Sequence, residues 1–220
     1  MSVRESSKER RRQSILDAAR RMLAKGGYRA LNVRALAKEA DVTLPTLYNL
    51  IGNKEKILFE LAAQTMRVIG QRSFTPDTFD PDDPFTFIDS GIAVSADLFA
   101  EQPDFYRSAF VAVTFADNQE LFWSPQSMFV QGGAEIPTRC CRAVADAGML
   151  EGRFSPSALG MHIFQGVRGA LRDWSVGLIS LEDYRRWSLR CGYAGLLLDA
   201  REPLRSGLLE RLAALYEPPQ

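Results

Sequence analysis

Apolar residues recur along this chain at three- and four-residue intervals, and no stretch alternates as a strand would, so the pattern predicts an all-α fold. The sharpest signal lies between Asn32 and Lys54. Val33, Leu36, Ala37 and Ala40 share one stripe of a short helix, and Asn32 precedes it as a side-chain cap for the free backbone N–H groups. Asp41-Val42 is the turn. Thr43 is the next cap, and Pro45 falls in the first turn of a second short helix, where a proline costs least. Leu47 and Leu50 point back at the first helix, which leaves Thr43, Leu44, Pro45, Thr46, Tyr48 and Asn49 outside. Two short helices joined this tightly have the shape of a helix-turn-helix, whose second helix can enter a DNA major groove.

The same periodicity places the other elements. Residues 1–9 are polar and are expected as a flexible arm. A helix from about Arg10 to Lys25 buries Ile15, Ala19, Met22 and Leu23 and ends at Gly26-Gly27. The basic run Lys8 to Arg12 either touches phosphates or a minor groove or is a solvated helix start. Tyr28 is expected to pack under the helix pair. Asn53 caps a fourth helix that begins at Lys54, uses Ile57, Leu58, Leu61 and Ile69, and leads from a small head into a larger body. The head is read as residues 10–53 and the body as 54–220. A linker rich in Pro and Asp follows at 73–84, then helices over 85–101 and 104–114. Gly132-Gly133 and Pro137 interrupt any single helix, so one is expected only from about Ile136 to Ala147, closed by Gly148, with irregular or short helical structure before it. Ser155-Pro156 opens a helix to about Val176, and Ser180 with Asp183 makes a capping-box-like start for another to about Ala200. A last helix follows Pro203 and ends near Tyr216.

The helices at 156–176 and 181–200 are apolar on more than one stripe. The first carries Leu159, Ile163, Val167, Leu171 and Trp174; the second carries Tyr184, Trp187, Cys191, Ala194, Leu197 and Leu198. Such helices need two partners each. One is the body's own core; the other is a second copy in a four-helix interface, or further parts of one monomer. Gly166, Gly169, Gly192 and Gly195 would let helix backbones come close.

Beyond the helix-turn-helix shape, a longer set of residues carries a resemblance. Ile15-Leu16-Asp17-Ala18-Ala19, Gly27-Tyr28, Asn32-Val33, Leu36-Ala37, Ala40, Val42-Thr43, Thr46-Leu47-Tyr48, Asn53-Lys54-Glu55 and Ile57-Leu58 fit the pattern of the tetracycline-repressor (TetR) family's DNA-binding domain, which this stretch resembles. The departures are Asp41 for the usual turn Gly, Leu50-Ile51 for an aromatic pair, and Leu31 for a frequent Thr. The resemblance implies an N-terminal three-helix helix-turn-helix domain plus a larger C-terminal helical domain for ligand binding and dimerisation. It implies a homodimer formed through the helices at about 156–176 and 181–200. It also implies a small-molecule pocket in the body, with an effector of unknown identity.

Charge sharpens that picture. The net charge of zero hides 13 Lys+Arg against 7 Asp+Glu in residues 1–60, and 14 against 20 in the remaining 160; all five lysines lie at or before Lys56. A basic head on an acidic body suits a polyanion-binding module joined to a second domain. Three cysteines without metal-ligand spacing suit a reducing cytoplasm, and no apolar run approaches a membrane span.

In a helix-turn-helix, phosphate contacts set position and base-edge contacts set sequence preference. Thr43, Tyr48 and Lys54 match the family's phosphate-contacting positions. Leu44, Pro45, Thr46 and Asn49 are the candidate base readers: Leu44 and Pro45 offer only apolar contact, for example to a thymine methyl, and Asn49 could pair with adenine. Arg34 is the best candidate for guanine or a nearby phosphate. For the effector, Phe110, Trp123, His162, Gln165 and Arg168 are the residues to test first, with core or interface roles as the alternative. Enzyme readings have no motif: His162 is the only histidine, adjacent Cys140 and Cys141 diverge on a helix, and no glycine-rich phosphate loop or nucleophile motif is present. No metal and no cofactor are expected. The reading is therefore a homodimeric DNA-binding regulator, a repressor released by a small molecule. The alternative is a helical ligand- or protein-binding module without gene control.

Overall fold

The computed structural model describes residues 3–72, 79–114 and 127–216. Ten helices and no strand occur among them, and they divide into two compact units: residues 1–65 with 101–129, and residues 66–100 with 130–220. The all-α expectation holds.

The first unit is organised around α1 (Val3–Ala30), α2 (Val33–Glu39), α3 (Leu44–Leu50), the first part of α4 (Lys54–Arg72) and α6 (Pro103–Thr114). Helix α1 begins at Val3, well before Arg10. The segment expected as an arm is therefore helical: Glu5 complements the dipole of the first turn, and the charged residues that follow are good helix formers. The stop at Gly26-Gly27 is where the pattern put it, with Gly27 at φ 66°, a left-handed conformation open to glycine. Around its middle, α1 buries Ile15, Leu16, Ala18, Ala19 and Leu23, a stripe wide enough for two partners. The helix pair α2–α3 packs on α1, and so does α6. Helix α6 returns to α1 from far along the chain, carrying buried Phe105, Ala109, Phe110 and Val113; the Arg20 guanidinium lies 4.6 Å from the Phe105 ring centroid.

The second unit holds α5 (Pro84–Glu101), α7 (Met128–Asp146), α8 (Pro156–Ser175), α9 (Leu181–Leu197) and α10 (Leu204–Tyr216), with the last part of α4. The caps read from sequence are present. Ser155 Oγ accepts from Ala158 N, and Ser180 and Asp183 form a reciprocal capping box. One expectation fails. Helix α7 runs unbroken from Met128 through Pro137 instead of starting near Ile136. Gly133 is not a breaker here: a Cβ on it would lie 2.2 Å from the Phe164 ring, so the glycine serves a close approach of α7 to α8. Tertiary packing outweighs the local cost of the proline.

Helix α8 packs along α9, and α10 packs on α9. Phe99 and Trp174 stack at 5.1 Å, with Tyr184 beside them and its hydroxyl 3.0 Å from Ser95 Oγ. Tyr193 donates to Asp89 at 2.5 Å, and Arg211 reaches the other oxygen of the same carboxylate at 3.3 Å, tying α5, α9 and α10 together. The buried Asp199 carboxylate accepts from Gly152 N and Arg153 N, both at 3.0 Å, closing the loop between α7 and α8. Cys140 and Cys141 are buried on α7; burial pushes both thiols up, Cys141 to about 12. Cys191, on α9 against Gly166, is half-buried and is raised by desolvation as well.

Candidate nucleic-acid interface

The interface is built from short-range signals. Asn32 Oδ1 accepts from Arg34 N at 2.9 Å and from Ala35 N at 3.3 Å, which starts α2 and sets Arg34 on its exposed first turn. After α2 the chain reverses at Asp41, the one non-glycine residue with positive φ (53°) among the described residues. Left-handed backbone costs a residue with a Cβ about 1–2 kcal/mol, and Asp is among the less penalised. The Val42 N–H donates to Ala37 O at 2.9 Å and closes the turn. Thr43 Oγ1 then accepts from Thr46 N at 3.3 Å and shares a 2.7 Å hydrogen bond with Thr46 Oγ1.

Helix α3 buries one large side chain completely, Leu47, against α1 and α2. Pro45, Tyr48 and Asn49 are exposed and Leu44 and Thr46 are half-buried, so the candidate readers stand on the surface that the pattern predicted. The Tyr48 ring is 50% exposed, the only large apolar side chain so exposed among the described residues of this unit. It is not a core ring.

Two cations of this unit, Lys54 and Arg12, are engaged within it. Lys54 Nζ donates to Tyr28 O at 2.9 Å and sits 3.6 Å from the centroid of the Tyr28 ring; desolvation lowers its pKa. It pins the loop after α1 to the start of α4. Arg12 Nη1 donates to Leu50 O at 2.9 Å, and its Nη2 meets Glu60 at 2.5 Å, so this residue caps the C-terminal end of α3 and fixes it to α4. The role of Arg12 was missed in the sequence, where it is one of a run of three arginines.

Its two neighbours do something else. Ser7, Arg10, Arg11 and Ser14 lie at i, i+3, i+4 and i+7 on α1, one face of a helix. Together with Ala40 to Thr43 and Thr46 they line an open cleft of about 640 Å³. Arg10 and Arg11 are exposed and have no ion-pair partner among the described residues. This stripe is legible only once α1 is known to start before Arg10.

The effector candidates are scattered. Phe110 is buried in α6 of the first unit. Trp123 lies outside the described residues. On α8, His162 and Gln165 are exposed, and Arg168 donates to Gln165 Oε1 at 3.1 Å. The structure brings Gln165 and Arg168 together, at the surface of the second unit.

Residues 15–61 match the family model described as bacterial regulatory proteins, tetR family. Over 76 residues, 34% of this chain, the sequence is 36% identical to the HTH-type transcriptional repressor KstR of Rhodococcus jostii (strain RHA1). The aligned stretch takes in 36% of that repressor's own length. Among solved structures, Thermus thermophilus FadR, a TetR-family repressor in complex with lauroyl-CoA, matches with a TM-score of 0.66 at 18% identity, covering 87% of this chain and 96% of that one. SmeT, the repressor of the Stenotrophomonas maltophilia multidrug efflux pump SmeDEF, matches with a TM-score of 0.60 at 18% identity over 88% and 92% of the two chains. At these identities the two structures establish the fold alone: an N-terminal helix-turn-helix and a C-terminal helical domain.

Proposed function

We propose that this chain, whose N-terminal domain belongs to the tetR family of bacterial regulatory proteins, is a homodimeric DNA-binding transcriptional regulator, a repressor released from a pseudo-palindromic operator by a small-molecule effector. The observation that carries the reading is the outward face of α3. Pro45, Tyr48 and Asn49 are held in the open by a capped turn and one buried leucine, and the fold gives them no internal role. Residues 10–53 read the DNA; residues 54–220 dimerise and take the effector.

The dimer rests on a second observation. Of the eight large apolar side chains that are exposed among the described residues, Phe154, Val176, Leu178, Trp187 and Leu198 belong to α8, α9 or their flanks. Trp187, Cys191 and Ala194 on α9 and Leu198 at its C-cap follow one another at helical spacing, none of them buried. A second copy covers this face and sets the two heads about 34–36 Å apart, one helical turn of DNA, or a multiple of that. His162, Gln165 and Arg168 then belong to the seam rather than to a pocket, while Phe110 and Trp123 remain the candidates for the effector. The lauroyl-CoA held by FadR supports an effector with a long apolar part. DNA as ligand supports a cytoplasmic location; no helix among the described residues is long and apolar enough to cross a membrane.

An electrophoretic shift assay on the DNA flanking its own gene tests the reading. Dimeric protein is expected to bind selectively and with steep salt dependence, and Asn49→Ala is expected to change sequence preference rather than affinity for all sequences alike. Effector and operator must weaken each other's binding by the same factor. Dimeric protein that binds no duplex selectively refutes the proposal.

A further inference from the structure

The cleft between the first turns of α1 and the α2–α3 turn has no part in the core. Its one wall is the polar stripe Ser7, Arg10, Arg11 and Ser14; its other is Ala40 to Thr43 with Thr46. It lies beside the exposed face of α3, and Thr43 and Thr46 belong to both. Two guanidiniums without an ion-pair partner among the described residues and four hydroxyl groups suit an anion that can be approached from several sides. Against them stands one carboxylic acid, Asp41, held at the turn by a left-handed backbone that a glycine would adopt without cost.

We propose that this cleft seats DNA backbone phosphate through Arg10 and Arg11, and that Asp41 holds the affinity of the seat down. The inference rests on the DNA-binding reading above and adds to it a site and a restraint. The chain carries two separate costs at one position, backbone strain in the turn and a negative charge at the mouth of an anion seat. Replacing Asp41 by glycine removes both, and replacing it by asparagine removes only the charge, since Asn has nearly the same size and accepts the left-handed region. A repressor that must leave its operator when the effector arrives gains from an affinity kept below its maximum, because a given differential affinity then empties the operator more completely.

The test uses the full chain and a labelled mixed-sequence duplex of about 30 base pairs, titrated at salt concentrations between about 50 and 200 mM. Such a duplex reads the phosphate contribution whether or not the operator is known. The double variant Arg10→Ala/Arg11→Ala is expected to bind on the order of 10- to 100-fold more weakly at the low end and to flatten the slope of log affinity against log salt by roughly 1.8, about 0.9 for each phosphate neutralised. Asp41→Asn is expected to bind about three- to tenfold more tightly at low salt, with the gain fading as salt rises. Arg201→Ala, a charge removed from the second unit, serves as control and should change neither. An unchanged slope in the double variant overturns the seat, and unchanged or weaker binding by Asp41→Asn overturns the restraint. Failure of the native chain to bind any duplex overturns the DNA-binding reading and the seat with it. Melting curves of all variants show whether the head is folded, and an Asp41→Gly variant that melts higher yet binds no more tightly than the native chain assigns the residue to strain alone and overturns the restraint.

Discussion

The helix pair α2–α3 and the helix pair α8–α9 both leave a face unburied, but the two faces have opposite chemistry. Seven-residue α3 sends one leucine inward and shows water Pro45, Tyr48 and Asn49 beside a basic cleft. The twenty residues of α8 and seventeen of α9 bury far more, yet Trp187 and Leu198 still stand 38% and 49% exposed. A polar face in water is at rest and gains mainly from a ligand with complementary charge. An apolar face in water is under tension, since each Å² left wet forgoes about 25 cal/mol. On the proposed function, the first surface would select a polyanion, and the second a copy of itself. Neither surface alone would specify a regulator.

Breaking the apolar face should have the largest effect. Trp187→Glu puts a charge in the centre of the seam and is expected to weaken the dimer on the order of 100-fold or more. Sedimentation equilibrium would read it, and operator affinity should fall with it; a variant that stays dimeric moves the seam off α9. Next comes the base of the polar face. Leu47→Ala empties a fully buried site, and a cost of about 2–5 kcal/mol is expected in the stability of the head by denaturant melting. The outward residues would then lose their frame, so DNA binding should disappear while the dimer persists.

Lys54→Met gives a smaller effect. The ammonium gives up a hydrogen bond to the Tyr28 carbonyl and its place over the ring, with an expected loss of about 1 kcal/mol. Unchanged stability with a flatter salt slope would instead make Lys54 a free phosphate contact. The smallest effect belongs to Asp183. Its hydrogen bonds with Ser180 hold the carboxyl below the usual carboxylate range. A folded-state pKa below the unfolded one contributes stability that is complete above about pH 4 and is lost as pH falls through the folded value. Asp183→Asn should therefore remove a small acid-side loss of stability in pH-dependent melting, and leave stability at neutral pH slightly lower than in the native chain.

What could be read in advance divides along the same line. Asn32, Thr43, Asn53, Ser155 and Ser180 all cap the helices expected of them, because a cap is a contact between residues two or three apart and is written in a short window. The outward face of α3 was legible for the same reason. What was not legible concerns contacts between distant residues. Gly133 and Pro137 look like breakers until Phe164, some thirty residues on, is seen against the glycine. The placement of α6 on α1 joins residues about ninety apart, and its apolar stripe names no partner. His162 and Gln165 sit in a helix apolar on several sides, where spacing cannot tell an inner polar group from an outer one; the structure puts both at the surface. The arginine run looked uniform and proved to be two devices, Arg12 fastening the end of α3 and its neighbours facing a cleft.

The three thiols turn the proposed seam into something that reports on itself. Cys140 and Cys141 are buried with their pKa values pushed far up, so a thiol reagent at neutral pH finds almost no thiolate at either. Cys191 packs against Gly166 and its thiol is raised by desolvation too, but it keeps part of its surface and lies between Trp187 and Ala194, along the face proposed for the second copy. Labelling of the native chain then amounts to a gauge with a single needle: one sulfur expected to react, slowly, in dilute solution and to fall silent if the copies come together on this face.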